Sequence, residues 1–184
     1  MTGYIYLYYG TGGGKTANAL GLALRSVGHG KKVVIIQFLK WKKDIGEFLI
    51  KDQLKPYYEI YQFGREAWLG EEEKVAEFGD EKFNVETVKN QDKALAKKAL
   101  DFAAKVLVEK PHLLILDEIN LAVQWGLLEV KDVLKLLDKV PKETTVVLTG
   151  RLAPEELINR ADFVNVVQEV KMPKRFKPTL GIQY

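Results

Sequence analysis

The 184-residue chain contains no cysteine. Disulfides, iron–sulfur clusters and thiolate-held metals are therefore excluded. With His29 and His112 as its two histidines, it is too poor in imidazole for a histidine-rich metal centre. It also lacks any apolar run approaching the roughly 20 residues needed to span a bilayer. The amino terminus shows no basic, apolar, small-residue succession of the secretory kind. An excess of one charge is missing too: 28 basic against 25 acidic side chains leave a net charge of +3. Proteins that coat nucleic acid usually show stronger, clustered basic character. These absences lead us to expect a soluble cytoplasmic protein with neither a nucleic acid nor a membrane as partner. What is present is the material for a core, since 47% of the residues are hydrophobic, and the length suits one domain spanning residues 1–184.

Short continuous apolar runs alternate with helix-period segments. Tyr4–Tyr9, Val33–Phe38 and His112–Asp117 read as buried strands, and Thr144–Leu148, Phe163–Val170 and Tyr58–Phe63 as further strands. Lys15–Val27, Val130–Lys139 and Pro154–Arg160 read as helices. A longer helix is expected from an Asn84 cap to about Lys110, with Leu95, Ala99, Phe102 and Val106 as its apolar stripe. Lys40–Gly79 reads as loops and short elements; its Trp41 and Trp68 suit either core positions or lids over a flat ligand. Strands alternating with helices imply parallel pairing. The expected fold class is α/β: a three-layer, RecA-like phosphate-loop domain with a mainly parallel sheet and helices on both faces. Ligands of such sheets bind beyond the carboxyl ends of the strands. Tyr9–Thr16, Gln37–Lys40, Asp117-Glu118 and Thr149–Arg151 all follow expected strands, so these four polar clusters should meet on one edge.

The first cluster is "YYGTGGGKT". It departs from the phosphate-loop pattern G-x-x-x-x-G-K-[ST] only in its first glycine, where Tyr9 stands. Glycines let backbone N–H groups turn toward a polyphosphate, and the helix amino terminus favours anions. Lys15 can reach a phosphate, and the Thr16 hydroxyl can ligate Mg²⁺. "LLILDEI" is an apolar strand ending in acids, so Asp117 or Glu118 can hold Mg²⁺. Glu118 can equally serve as a general base for a hydrolytic water, or the pair can cap the next helix. Arg151 suits neutralisation of phosphate charge or a plain surface turn. These residues alone also permit an ATPase or nucleotide kinase releasing ADP, or an ATP-binding regulator without chemistry.

Taken in order, "GTGGGKT", "ALRSVGHGKKV", "VIIQFLK", Gly46-Glu47, "LLILDEI", "VVLTGR", "NRADFVNVV" and the ending "GIQY" resemble the ATP:corrinoid adenosyltransferases of the CobA/CobO/BtuR type. The resemblance runs from Tyr4 to Tyr184, and the loop without its first glycine is a trait of that family. It implies transfer of the 5′-deoxyadenosyl group of ATP to the Co(I) of a corrinoid, with triphosphate leaving and magnesium required. It also implies a homodimer and a reduced flavoprotein as electron donor. Matched to the family's motifs, Gly10, Thr11, Gly12, Gly13, Gly14, Lys15 and Thr16 bind ATP. Arg25, Gly28, His29 and Gly30 support the nucleotide pocket. Thr16, Asp117 and Glu118 serve the metal, and Lys15, Glu118 and Arg151 are the expected catalytic groups. Phe63 and Trp68, the latter in "REAW", fall beside the corrinoid.

Overall fold

The computed structural model describes residues 3–66, 74–78, 81–85, 90–173 and 175–182, with side chains for all of these except 74–78 and 81–85. In chain order the elements are β1 (Ile5–Tyr9), α1 (Lys15–Gly28), β2 (Val33–Phe38), α2 (Gly46–Leu49), β3 (Tyr58–Phe63), β4 (Lys74–Phe78), β5 (Glu81–Val85), α3 (Asn90–Val108), β6 (Leu113–Asp117), α4 (Ile119–Gln124), α5 (Val130–Leu137), β7 (Thr145–Gly150), α6 (Glu155–Arg160) and β8 (Phe163–Val166). Six strands form one sheet in the order β3-β2-β6-β7-β1-β8, and every pairing in it is parallel. All six strands therefore end on the same edge.

The continuous apolar runs are explained by two covered faces. Along β2, Val34, Ile36 and Phe38 join one core cluster while Val33 and Ile35 join another. Strand β6 splits the same way, with Leu114 and Leu116 on one face and Leu113 and Ile115 on the other. This is the two-residue alternation of a strand. Helices α3, α4, α5 and α6 bring residues to the first cluster, among them Ala103, Ile119, Leu137 and Leu157. Helix α1 covers the second through Ala19 and Ala23. Those two small side chains are fully buried, so α1 lies close on the sheet and its amino terminus is held firmly at the strand ends. Each wholly buried leucine or isoleucine here contributes about 1.5–3 kcal/mol.

Three expectations are revised. Asn84 does not cap the long helix: it lies inside β5 and pairs with Val75 across an antiparallel hairpin, and α3 begins at Asn90. The stretch Glu81–Val85 places Phe83 and Val85 two apart, a strand period that overrides the capping tendency of one asparagine. The buried stripe of α3 is also rotated, to Ala96, Ala99, Leu100, Ala103, Val106 and Leu107, leaving Leu95 and Phe102 half-buried. Strand β8 stops at Val166 because the chain then pairs with the glycine loop. Val167 N–H donates to Tyr9 O at 2.7 Å, and Gly12 N–H donates to Val167 O at 2.9 Å.

Candidate active site

The glycine loop joins β1 to α1 at the carboxyl edge. Tyr9, where the standard motif has glycine, is still strand: it pairs with Gly150 on one side and Val166 on the other. The turn begins one residue later. Gly10 has φ +125, and a Cβ there would lie 2.3 Å from the Val167 carbonyl oxygen, so only glycine fits. Its N–H donates to Arg151 O at 2.8 Å. Gly13 and Gly14 differ, because a Cβ on either would meet nothing within 4 Å. The loop is thus clamped at its start and open at its end, where the α1 amino terminus begins. Lys15 is buried, and its ammonium donates to Gly12 O at 2.5 Å.

Opposite this opening stands Asp117, fully buried at the end of β6. Its Oδ1 accepts from the Thr16 hydroxyl at 2.8 Å and from the Thr149 hydroxyl at 2.7 Å. Its Oδ2 accepts from Lys40 Nζ at 2.8 Å and from Gln37 Nε2 at 3.1 Å. A carboxylate has about four lone-pair positions, and here each has a partner. Burial works against the charge. The Lys40 ammonium and the Thr149 and Thr16 hydroxyls more than offset it, holding the carboxyl below its usual value.

The neighbouring Glu118 is built otherwise. It sits in the left-handed region at φ 62, pinned by its N–H, which donates to the Thr149 hydroxyl at 2.9 Å. Its Oε2 is buried with no hydrogen-bond partner among the described residues. Burial first, and then the charge of Asp117, raise its carboxyl above the usual value; Lys40, Lys15 and Arg151 counter this in part. Thr16 donates its proton to Asp117, so its own lone pairs remain for a ligand. Thr16 and Glu118 therefore offer hard oxygen donors beside an open loop, a set that fits Mg²⁺, which takes few protein ligands and completes its shell with phosphate and water.

The four polar clusters thus meet as expected. Gln37 and Glu47 were not singled out for a role, yet Gln37 Nε2 also donates to Glu47 Oε1 at 3.1 Å, and Gln62 Nε2 donates to Gln37 Oε1 at 3.0 Å. The signal for this row was available: one polar residue near the end of each apolar run, in "VVIIQF", "YEIYQF" and "LLILD". In the sheet, Gln62 pairs with Gln37, and Gln37 with Asp117. Asn120, buried with both side-chain polar atoms unpartnered among the described residues, gave no such signal.

Other expected residues lie elsewhere. Arg25, Gly28, His29 and Gly30 are exposed at the far end of α1. Fourteen helical residues span about 21 Å, so the structure does not bring these four to the glycine loop of the same chain. Phe63 ends β3 on the ligand edge and packs on Phe102, with ring centroids 5.8 Å apart. A groove of about 440 Å³ beside them is lined further by Lys97, Lys98 and Lys105. Trp68 lies outside the described residues. Among the described residues, no helix is long and apolar enough to cross a membrane.

A parallel sheet with a glycine loop, an α1 amino terminus and an Asp-Glu pair at one edge defines a phosphate-loop nucleotide-binding protein. Comparison with known proteins narrows this: the family model for the ATP:corrinoid adenosyltransferases BtuR/CobO/CobP matches residues 1–184, and the chain belongs to that family. It is 31% identical to a corrinoid adenosyltransferase of Sinorhizobium sp over 188 residues, covering 99% of this chain and 80% of the relative. It is likewise 31% identical to one of Escherichia coli K12, covering 99% of this chain and 86% of that protein. A corrinoid adenosyltransferase of Pseudomonas aeruginosa is 33% identical over 92% of this chain and 76% of its own length.

Proposed function

We propose that the protein transfers the 5′-deoxyadenosyl group of ATP to the Co(I) of a corrinoid, either cob(I)alamin or cob(I)yrinic acid a,c-diamide. The observation that carries this reading is the division of labour at the edge. Groups for holding a polyphosphate line the glycine loop and the acidic pair faces it, in a chain that belongs to the ATP:corrinoid adenosyltransferase family. Reduced cobalt needs no protein nucleophile. Its electron pair forms the cobalt–carbon bond, the bond from the 5′ carbon to the α-phosphate oxygen breaks, and triphosphate leaves with the electrons of that broken bond.

The protein's task is then alignment and stabilisation of a heavily charged leaving group. Gly10–Thr16 hold the triphosphate through backbone N–H groups, and Lys15 and Arg151 neutralise its charge. Thr16 and Glu118 would hold Mg²⁺, which supplies further charge neutralisation on the phosphate oxygens. Asp117, its lone pairs already used, orients the Thr16 hydroxyl so that the lone pairs of its oxygen would be left for the cation. Phe63, at the ligand edge, would contact the corrinoid, and Trp68 is the second residue that the family resemblance assigns to it. A homodimer is supported by the exposed apolar residues Phe163, Val164 and Val166 on edge strand β8. A reduced flavoprotein in the cytoplasm is the electron source we favour.

The test mixes the protein, ATP, Mg²⁺ and chemically reduced cobalamin, follows the light-sensitive cobalt–carbon bond by absorbance, and separates products by ion exchange. Adenosylcobalamin with triphosphate is expected. ADP without a cobalt–carbon bond would overturn the reading in favour of a nucleotide hydrolase or kinase.

A further inference from the structure

Lys40 carries a role that neither the glycine loop nor the acidic pair accounts for. It follows β2 directly, and three features fix its position. Leu39, before it, has φ 63, an uncommon conformation for a branched side chain. The Leu39 N–H donates to Phe63 O at 3.1 Å. Gly64 lies so close that a Cβ there would stand 2.5 Å from the Leu39 carbonyl carbon and 2.7 Å from Lys40 N. The turn delivers the Lys40 ammonium 2.8 Å from Asp117 Oδ2 and 3.7 Å from Glu47 Oε1. The side chain is only 28% exposed. Strain accumulated around one ammonium is a common mark of a functional position.

The charge is linked to the Thr16 donor through Asp117, whose Oδ2 accepts from Lys40 and whose Oδ1 accepts from Thr16. Lys40 fills one of the lone-pair positions of Asp117 and acts electrostatically on Glu118. A dication approaching Thr16 and Glu118 meets this fixed positive charge in a partly buried setting, where screening is weak. A triphosphate changes the balance, because it brings negative oxygens to both cations. Resting on the reading of Thr16 and Glu118 as metal ligands, we propose that Lys40 is a resident counter-ion that disfavours divalent metal in the nucleotide-free site. The metal then enters together with ATP. Lys40 acts by position and charge and touches none of the reacting atoms.

The test measures Mn²⁺ affinity by electron paramagnetic resonance of the free ion without nucleotide, and with ATP by water-proton relaxation enhancement, which separates protein-bound Mn²⁺ from Mn²⁺–ATP in solution; the full chain is used and no corrinoid is present. Lys40→Met removes the charge, Lys40→Gln removes it but keeps a hydrogen-bond donor for Asp117, and Lys40→Arg keeps it. Circular dichroism verifies the fold of each. Without nucleotide, the Met and Gln variants should bind Mn²⁺ about tenfold or more tighter than the parent, and the Arg variant within about threefold of it. If ATP-bound protein takes up Mn²⁺ but neither neutral variant gains affinity without nucleotide, the role of Lys40 is overturned while the metal ligands stand. If no form takes up Mn²⁺ even with ATP, the metal ligands are overturned and the proposal falls with them.

Discussion

On the β2–β6 side of the ligand edge, Gln62, Gln37, Lys40, Asp117 and Thr149 bond one another in a continuous row before any ligand arrives. On the β1 side, Gly13 and Gly14 face open space, and the backbone there has no side chain to crowd it. The first side is pre-organised by side chains and tolerates little loss, since Gln37, Asp117 and Thr149 are buried and would each leave a buried polar group without a partner. The second is shaped only at its root, where Gly10 and Gly12 pack on Val167. A site that must grip a large polyanion and then let it go is well served by that pairing: rigid charges on one wall, a receptive backbone on the other. Glu118 stands between them, positioned by the row through Thr149 yet with one oxygen unpartnered among the described residues.

Substitutions can break this contrast, and the largest effect is expected at Glu118. Glu118→Gln should lower magnesium-dependent turnover about a thousandfold, ~4 kcal/mol in the barrier, with the fold retained. Its stability should change in the opposite sense to its activity. The native carboxyl keeps its proton above the unfolded value of about 4.3, so native stability falls as pH rises through that value to the raised native one. Urea unfolding from pH 4 to 7 should show this decline in the parent and not in the variant. Next comes Gly10→Ala, where a positive φ and the Val167 carbonyl combine to cost about 3 kcal/mol in urea unfolding.

Asp117→Asn follows, at about 2 kcal/mol near neutral pH, discounted because Lys40 retains some solvent. Here the sign is reversed. The native carboxyl titrates below its unfolded value of about 3.9, so its contribution is present above that value and lost as pH falls through the native one. The gap between parent and variant should therefore close in acid. The smallest effect sharpens the contrast most: Gly13→Ala should leave stability within about 0.5 kcal/mol, measured beside Gly10→Ala under the same conditions. A large loss at Gly13 would mean that the open end of the loop is as tightly built as its root.

Much of the sheet was legible because a strand covered on both faces leaves an unmistakable apolar run; β2 and β3 have the boundaries their runs suggest. The site's members were legible for a related reason, since polar residues just past such runs can only meet at one edge. Their partnerships were not. That Asp117 spends every lone pair while Glu118 keeps an oxygen unpartnered among the described residues depends on register between β2, β6 and β7, which no local pattern encodes. Helix α4 escaped notice because six residues directly after a strand carry too short a period to read. Asn84 misled because the hairpin that recruits it is a pairing between segments. Arg25 and Gly28–Gly30, expected at the nucleotide pocket from the family resemblance, lie toward the far end of α1, away from the loop of the same chain.

The hydrogen bonds from Gly12 to Val167 and from Val167 to Tyr9 tie the earliest loop of the chain to its last strand's extension. During synthesis the glycine loop emerges first and waits for nearly everything else before it takes its shape. The root of the nucleotide loop is therefore a long-range closure, whose shape is set by a segment far away in sequence rather than by the motif's own residues.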